Sequence, residues 1–216
     1  MTDVRIFYSK TGKAKYIAHL DLIRVFQRAF KRSAIPVWYT QGFNPHIYLT
    51  FANPLPLGYE SLCESAEFRL VEGMDFTEIA ARLQSDLPDG IEVVSIDTPL
   101  RLPSAIVSAD YSVKIFTENP ECLTNSIEEF WERDEIVAAK KSKKGLRKIN
   151  LKQEIVSHSA ECHGDHLLLL LTMPAGIKHN VNPTLYTDCF FDHIGQRNSL
   201  TVTKLRNLCD DGEEYS

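Results

Sequence analysis

Residues 98–103 read TPLRLP, and whether the chain holds one fold or two depends on them. Two prolines in six residues interrupt both the helical and the strand period, so the segment is expected to link elements rather than belong to one. The series of elements on its two sides is similar. Before it, residues 4–10 alternate as a strand and residues 19–33 have helical spacing. Residues 35–39, 47–51 and 66–71 read as strands. Residues 75–87 form a helix ended by Pro88-Asp89-Gly90, and residues 91–96 a strand. Allowing one surplus strand, the order is β-α-β-β-α-β, the split arrangement of a ferredoxin-like domain. After the link come a strand at 111–117, a helix at 119–133, strands at 136–139 and 167–173, a helix at 183–191 and a strand at 200–205. No residue-level repeat joins the halves, so the duplication rests on element order. The expectation is an α+β chain of two tandem ferredoxin-like domains, 1–98 and 104–209, followed by an acidic tail at 210–216. Residues 140–164 fit this scheme least and are expected to hold an inserted hairpin with 151–157 as one arm. His158, Cys162, His163 and His166 then fall at a hairpin end. The adjacent Cys162 and His163 are poorly spaced for a metal, and no metal or cofactor is expected.

Composition narrows the class. The chain has 216 residues, 44% hydrophobic and 25% charged, ordinary values for a globular protein. No apolar run approaches the length of a membrane span, and the start lacks the apolar region of a signal peptide. Five widely spaced cysteines without a C-x-x-C pair are expected to be reduced thiols in a cytoplasm. The net charge of −5 conceals a segregated pattern. Residues 1–35 carry eight Lys/Arg against Asp3 and Asp21, and residues 140–152 carry seven with no acid. Residues 53–99 reverse the balance, with ten acids against Arg69 and Arg82. Such segregation makes local fields strong enough to draw an anionic partner despite the acidic total.

Two stretches carry the candidate chemistry. The first runs from Lys13 into the helix at 19–33, where Arg24, Arg28, Lys31 and Arg32 fall opposite an apolar arc of Leu22, Ile23, Val25, Phe26, Ala29 and Phe30. Lys13, Lys15, Arg24, Arg28 and Lys31 are therefore expected to form an anion-binding face, unless it is simply solvated. Gly12-Lys13 is not a phosphate loop, since the other residues of that motif are missing. The second stretch is QGFNPH at 41–46. Gly42 permits positive φ, and Asn44 before Pro45 is biased toward an extended conformation. Phe43 and His46 are thus held at a bend where an aromatic ring can stack on a base, a ring or a peptide. Tyr48 and Phe51 read instead as core. A competing arrangement joins His19, Asp21 and His46, with Glu60, into an acid–base or metal cluster, if the fold brings them together.

The residues KYIAHLDLIR at 15–24, FQRAF at 26–30, QGFNPH at 41–46 and PLPLGYES at 54–61 together resemble the radical S-adenosylmethionine-linked protein family, bacterial domain of unknown function 2344. Later parts of that pattern survive as KINLK at 148–152 and Asn182-Pro183. The chain departs from it with Ile47-Tyr48 where Pro-Lys is usual and Asn150 where Asp is common. The resemblance implies a partner radical S-adenosylmethionine enzyme. The chain itself has no C-x-x-x-C-x-x-C triplet for an iron–sulfur cluster. The residues and the resemblance together point to a non-catalytic accessory protein that recognises RNA or a ribosome-related substrate through Lys13, Lys15, Arg24, Arg28, Lys31, Gln41, Phe43, Asn44 and His46. The alternatives are an enzyme using His19, Asp21 and His46, and a structural docking subunit.

Overall fold

Strand β1 (Thr2–Lys10) is buried on both faces. Val4, Ile6 and Tyr8 enter the apolar core, while Arg5 on the other face is buried with Nη2 2.7 Å from Glu67 Oε1. A 3-10 turn, Gly12–Tyr16, follows and leads into α1 (His19–Arg32), which buries Leu22, Phe26, Ala29 and Phe30. Next come β2 (Leu49–Ala52), β3 (Glu60–Leu70), α2 (Phe76–Asp86) and β4 (Ile91–Asp97). Asp75 caps α2 by accepting from the N–H groups of Thr77 and Glu78. The strands lie in the order β4-β1-β3-β2, with every pairing antiparallel.

The chain is α+β, and it divides into two compact units, Met1–Ala105 with Ser216, and Ile106–Tyr215. The computed structural model describes residues 1–142 and 145–216; Lys143 and Lys144 of the second basic run lie outside the described residues.

The second unit opens with β5 (Ile106–Phe116) and α3 (Pro120–Trp131). Strands β6 (Val137–Ser142) and β7 (Gly145–Asn150) pair with each other as a separate two-stranded sheet. A single helical turn, α4 (Leu151–Glu154), leads to β8 (Ser157–His163), β9 (His166–Pro174), α5 (Pro183–Ile194) and β10 (Leu200–Cys209). Here the order is β10-β5-β9-β8, again wholly antiparallel. In β9, Leu167, Leu169, Leu171 and Met173 alternate into the core, the period-two burial of a strand, although residues 167–171 are all leucine.

Several expected boundaries move, each for a physical reason. Residues 35–39 make only isolated bridges, Val37 with Leu70 and Tyr39 with Ile47, because Pro36 has no N–H to donate. Strand β3 begins at Glu60 rather than 66, since buried Ser61, Glu64 and Ser65 disguise its alternation. The inserted hairpin is β6–β7, and residues 151–157 are not one of its arms. Asn150 Oδ1 accepts from the N–H of Lys152 and turns the chain into α4 instead. The acidic tail does not simply trail off: Tyr215 is buried, and its N–H donates to the Asn207 carbonyl.

Candidate functional site

In the first unit the basic stretch is fastened from below. Lys10 is only 2% exposed, and its Nζ donates to the carbonyls of Ile17 at 2.9 Å and Lys15 at 3.4 Å. Burial pulls its ammonium below the usual lysine range, and the nearby Glu64 carboxylate opposes that shift. A backbone bond from Gly58 to the Lys15 carbonyl holds the same turn from the side. The turn therefore presents Lys13 and Tyr16 to solvent at a fixed place, while Lys15 Nζ is spent on Glu60 at 3.1 Å.

Along α1, Arg24, Arg28 and Lys31 recur at i, i+4 and i+7 and so share one face. Arg24 pairs with Asp21 at 2.7 Å, and Arg32 with Asp86 at 2.7 Å. Among the described residues Lys13, Arg28 and Lys31 have no ion-pair partner, so they are the cations available to an anion. Leu20 is exposed on the same side as this basic face, and Tyr16 lies in the turn before it. Neither was named as a candidate from the sequence, although the helical angle of Leu20 falls beside those of Arg24 and Lys31.

The loop at 40–46 is pinned at both levels of its stem. Thr40 N–H donates to the His46 carbonyl at 2.8 Å, and His46 N–H donates to Thr40 Oγ1 at 3.2 Å. His46 Nδ1 lies 3.1 Å from both Thr40 Oγ1 and the Asn44 carbonyl. A proton on Nδ1 donates to that carbonyl and leaves Nε2 facing outward. Below, Trp38 and Tyr48 pack edge to face at 5.9 Å, with the Arg69 guanidinium 5.5 Å from the Trp38 ring and 5.2 Å from the Tyr48 ring. Tyr48 is thus part of the loop's base rather than the central core. At the tip Phe43 is fully exposed, with Gln41, Asn44 and His46 exposed beside it.

The alternative cluster is not assembled in this arrangement. His19 is exposed and sets its ring edge to face on Phe51 at 5.3 Å. Asp21 is engaged by Arg24, Glu60 by Lys15, and His46 by its own loop. Among the described residues no group of three or more His, Cys, Asp or Glu side chains is placed to hold a metal ion.

The second unit holds features that the motif search passed over. A cleft of about 780 Å3 is lined by Phe116, Glu118, Asn119, Cys122 and Asp165 among others. Arg197 at its rim is tied to Asp188 and Asp192 at 2.9 and 2.7 Å. Away from the cleft, His158 stacks flat on Trp131 at 4.3 Å, and its Nε2 is hydrogen-bonded with the Tyr186 hydroxyl at 2.9 Å. Lys152 Nζ lies 3.9 Å from the Trp131 ring on α3 and donates to the Trp131 carbonyl. Burial, with the Lys152 charge adding to it, lowers the His158 pKa to about 4, so this imidazole is neutral near pH 7. His163 and His166 instead stack on each other at 5.7 Å beside the β8–β9 turn.

No helix among the described residues is long and apolar enough to cross a membrane. A family profile described as "Uncharacterized protein conserved in bacteria (DUF2344)" matches residues 4–183. No curated protein matches the chain. Among solved structures, a crystal structure of an unknown protein from Galdieria sulphuraria is similar at 11% identity and a TM-score of 0.27, over 94% of this chain and 98% of that one. At that score the similarity carries no argument about fold or function.

Proposed function

The chain belongs to the bacterial family DUF2344, and from that premise we propose that it is a non-catalytic recognition protein that binds RNA and works beside a radical S-adenosylmethionine enzyme. The observation that carries the RNA reading is the pinned loop with Phe43 at its tip, in a unit that also presents Lys13, Arg28 and Lys31 without ion-pair partners. An aromatic ring held out in water on an ordered loop has lost the packing that normally offsets its exposure. Stacking by an unpaired base is worth about 1–3 kcal/mol per contact and restores it. Cations on the same unit supply the phosphate contacts that dominate nucleic-acid affinity. The enzyme partner rests on the resemblance of residues 15–30 and 41–61. A cytoplasmic setting is in keeping with five free thiols.

The architecture is proposed to be a tandem of ferredoxin-like domains, with β6–β7 inserted in the second. The strand orders β4-β1-β3-β2 and β10-β5-β9-β8, both antiparallel, support that reading. An enzyme built on His19, Asp21 and His46 is the less favoured reading, because each of the three is engaged with a different neighbour.

The test is a salt series with single-stranded RNA. Wild-type protein binds with log affinity falling linearly in log salt, and Arg28→Gln with Lys31→Gln reduces the slope by about 1.4. Phe43→Ala weakens binding by roughly 5- to 150-fold without changing the slope. Absence of salt-dependent RNA binding by the wild type would sink the proposal.

A further inference from the structure

Hairpin β6–β7 is fastened at its root by a short set of hydrogen bonds, and further along β6 the Lys140 ammonium reaches the Asn180 carbonyl. Asn150 Oδ1 accepts from the N–H of Ile136 at 3.1 Å and of Lys152 at 3.1 Å, and Leu151 N–H donates to the Ile136 carbonyl at 2.8 Å. Next to the root, Ala138 and Ile149 face each other across the ladder and are both buried. One residue pair further on β7 turns basic at Lys148, and one pair beyond that β6 does so at Lys140, opposite Arg147. Between residues 140 and 150 the chain carries Lys140, Lys141, Lys143, Lys144, Arg147 and Lys148 and no acid.

The register makes this concentration costly. Lys140 sits directly opposite Arg147, and like charges in that position repel. Lys140 Nζ is turned to the Asn180 carbonyl, whereas Arg147 and Lys148 are exposed. Among the described residues none of these three cations has an acidic partner. Among the described residues the hairpin's large exposed apolar side chains are Val137 and Leu146, and it has no aromatic ring on which a base could stack. Its chemistry therefore differs from that of the Phe43 loop: it offers charge without stacking. A two-stranded ribbon of this kind meets phosphates, and phosphate contacts fix position without reading sequence.

We propose that β6–β7 is a second RNA-contacting element, an arm that grips the phosphate backbone of a base-paired RNA stem independently of its sequence. The inference rests on the RNA reading above but concerns a different unit and a different form of RNA. A partner that brings a dense row of phosphates removes the repulsion between Lys140 and Arg147, and releases condensed counterions as it does so. An acidic protein surface is the competing occupant. It is disfavoured because no large apolar side chain beyond Val137 and Leu146 accompanies the charge among the described residues, and protein interfaces have an apolar centre.

The experiment measures binding of full-length protein to a fully paired RNA stem and to a single strand, each over a salt series. Arg147→Gln with Lys148→Gln is expected to reduce the stem slope by about 1.8 and the stem affinity about 30-fold near 0.15 M salt. The single-strand affinity, carried by the first unit, changes much less. Arg147→Lys with Lys148→Arg keeps the charge and is expected to bind the stem as the wild type does, which separates charge from any effect on folding. If the Gln variant binds the stem with wild-type affinity and slope while the single strand still binds, the arm does not touch RNA, yet the reading of the first unit stands. If the wild type binds neither RNA, both fall.

Discussion

The loop at 40–46 and the β6–β7 hairpin are both projections held at the root by one short side chain, and they differ in what they carry outward. Thr40 ties the first through His46, and Asn150 ties the second through Ile136 and Lys152. The loop holds out an aromatic ring flanked by amides and an imidazole, with no cation between residues 40 and 46. The hairpin holds out cations with no ring. In RNA recognition these are separable tasks, since stacking selects unpaired bases and charge holds any backbone. On the proposed function, the two projections divide these tasks between the units.

The roots offer the most direct way to break this comparison. Asn150→Ala leaves the N–H groups of Ile136 and Lys152 without their shared acceptor, at a cost of about 2 kcal/mol in global stability. Asn150→Asp keeps an acceptor in place and costs much less. Chemical denaturation of the two variants decides it: equal losses would mean that Oδ1 is not what holds the root.

A smaller effect tests the stack that stiffens the chain just after the hairpin. His158 is faced by Trp131 from α3, Lys152 from α4 and Tyr186 from α5. Its pKa is lowered from 6.5 to about 4 in the folded state, so on acidification the unfolded chain takes up the proton first. The contribution of this group is full above pH 6.5 and is lost as pH falls from 6.5 toward 4. After allowance for the solvent that reaches the half-buried ring, the loss is about 1 kcal/mol. An NMR titration of the His158 imidazole is expected to show a midpoint near 4, and removing the charge with Lys152→Met raises it. A midpoint at the ordinary histidine value would break the argument.

The smallest effect is expected at the loop. Thr40→Val removes the hydroxyl that meets His46 and costs about 0.5–1 kcal/mol locally, because the partners are exposed and water replaces the lost bonds. Faster amide exchange at His46, with unchanged global stability, is the expected readout. If exchange is unaffected, the loop is held by Trp38, Tyr48 and Arg69 alone, and the parallel with Asn150 fails.

Much of the architecture was legible because burial has a period. The wheel of α1 separates Leu22, Phe26, Ala29 and Phe30 from Arg24, Arg28 and Lys31, and the structure buries the first group and exposes the second. By the same angles His19 belongs with the apolar arc. It is exposed because it is the first residue of the helix, where only the Phe51 ring is at hand to cover it. Where buried positions are polar the period is lost, as at Ser61 and Glu64 in β3, and at the hairpin a side-chain acceptor, Asn150, turns the chain where spacing predicts a strand.

By itself the sequence determined the α+β class, the order of most elements, the segregation of charge and the exposed bend around Phe43. These are local properties, set by side-chain spacing and by the dihedral limits of Gly and Pro. Only the tertiary structure decided which cations are free, because pairing partners come from distant residues: Glu60 takes Lys15 and Asp86 takes Arg32. It also set Lys10 beneath the basic turn and put Lys152, Trp131 and His158 into one stack. Hydrogen bonds and ion pairs act over a few ångströms, and no spacing rule along the chain specifies which distant residues the fold brings within that reach.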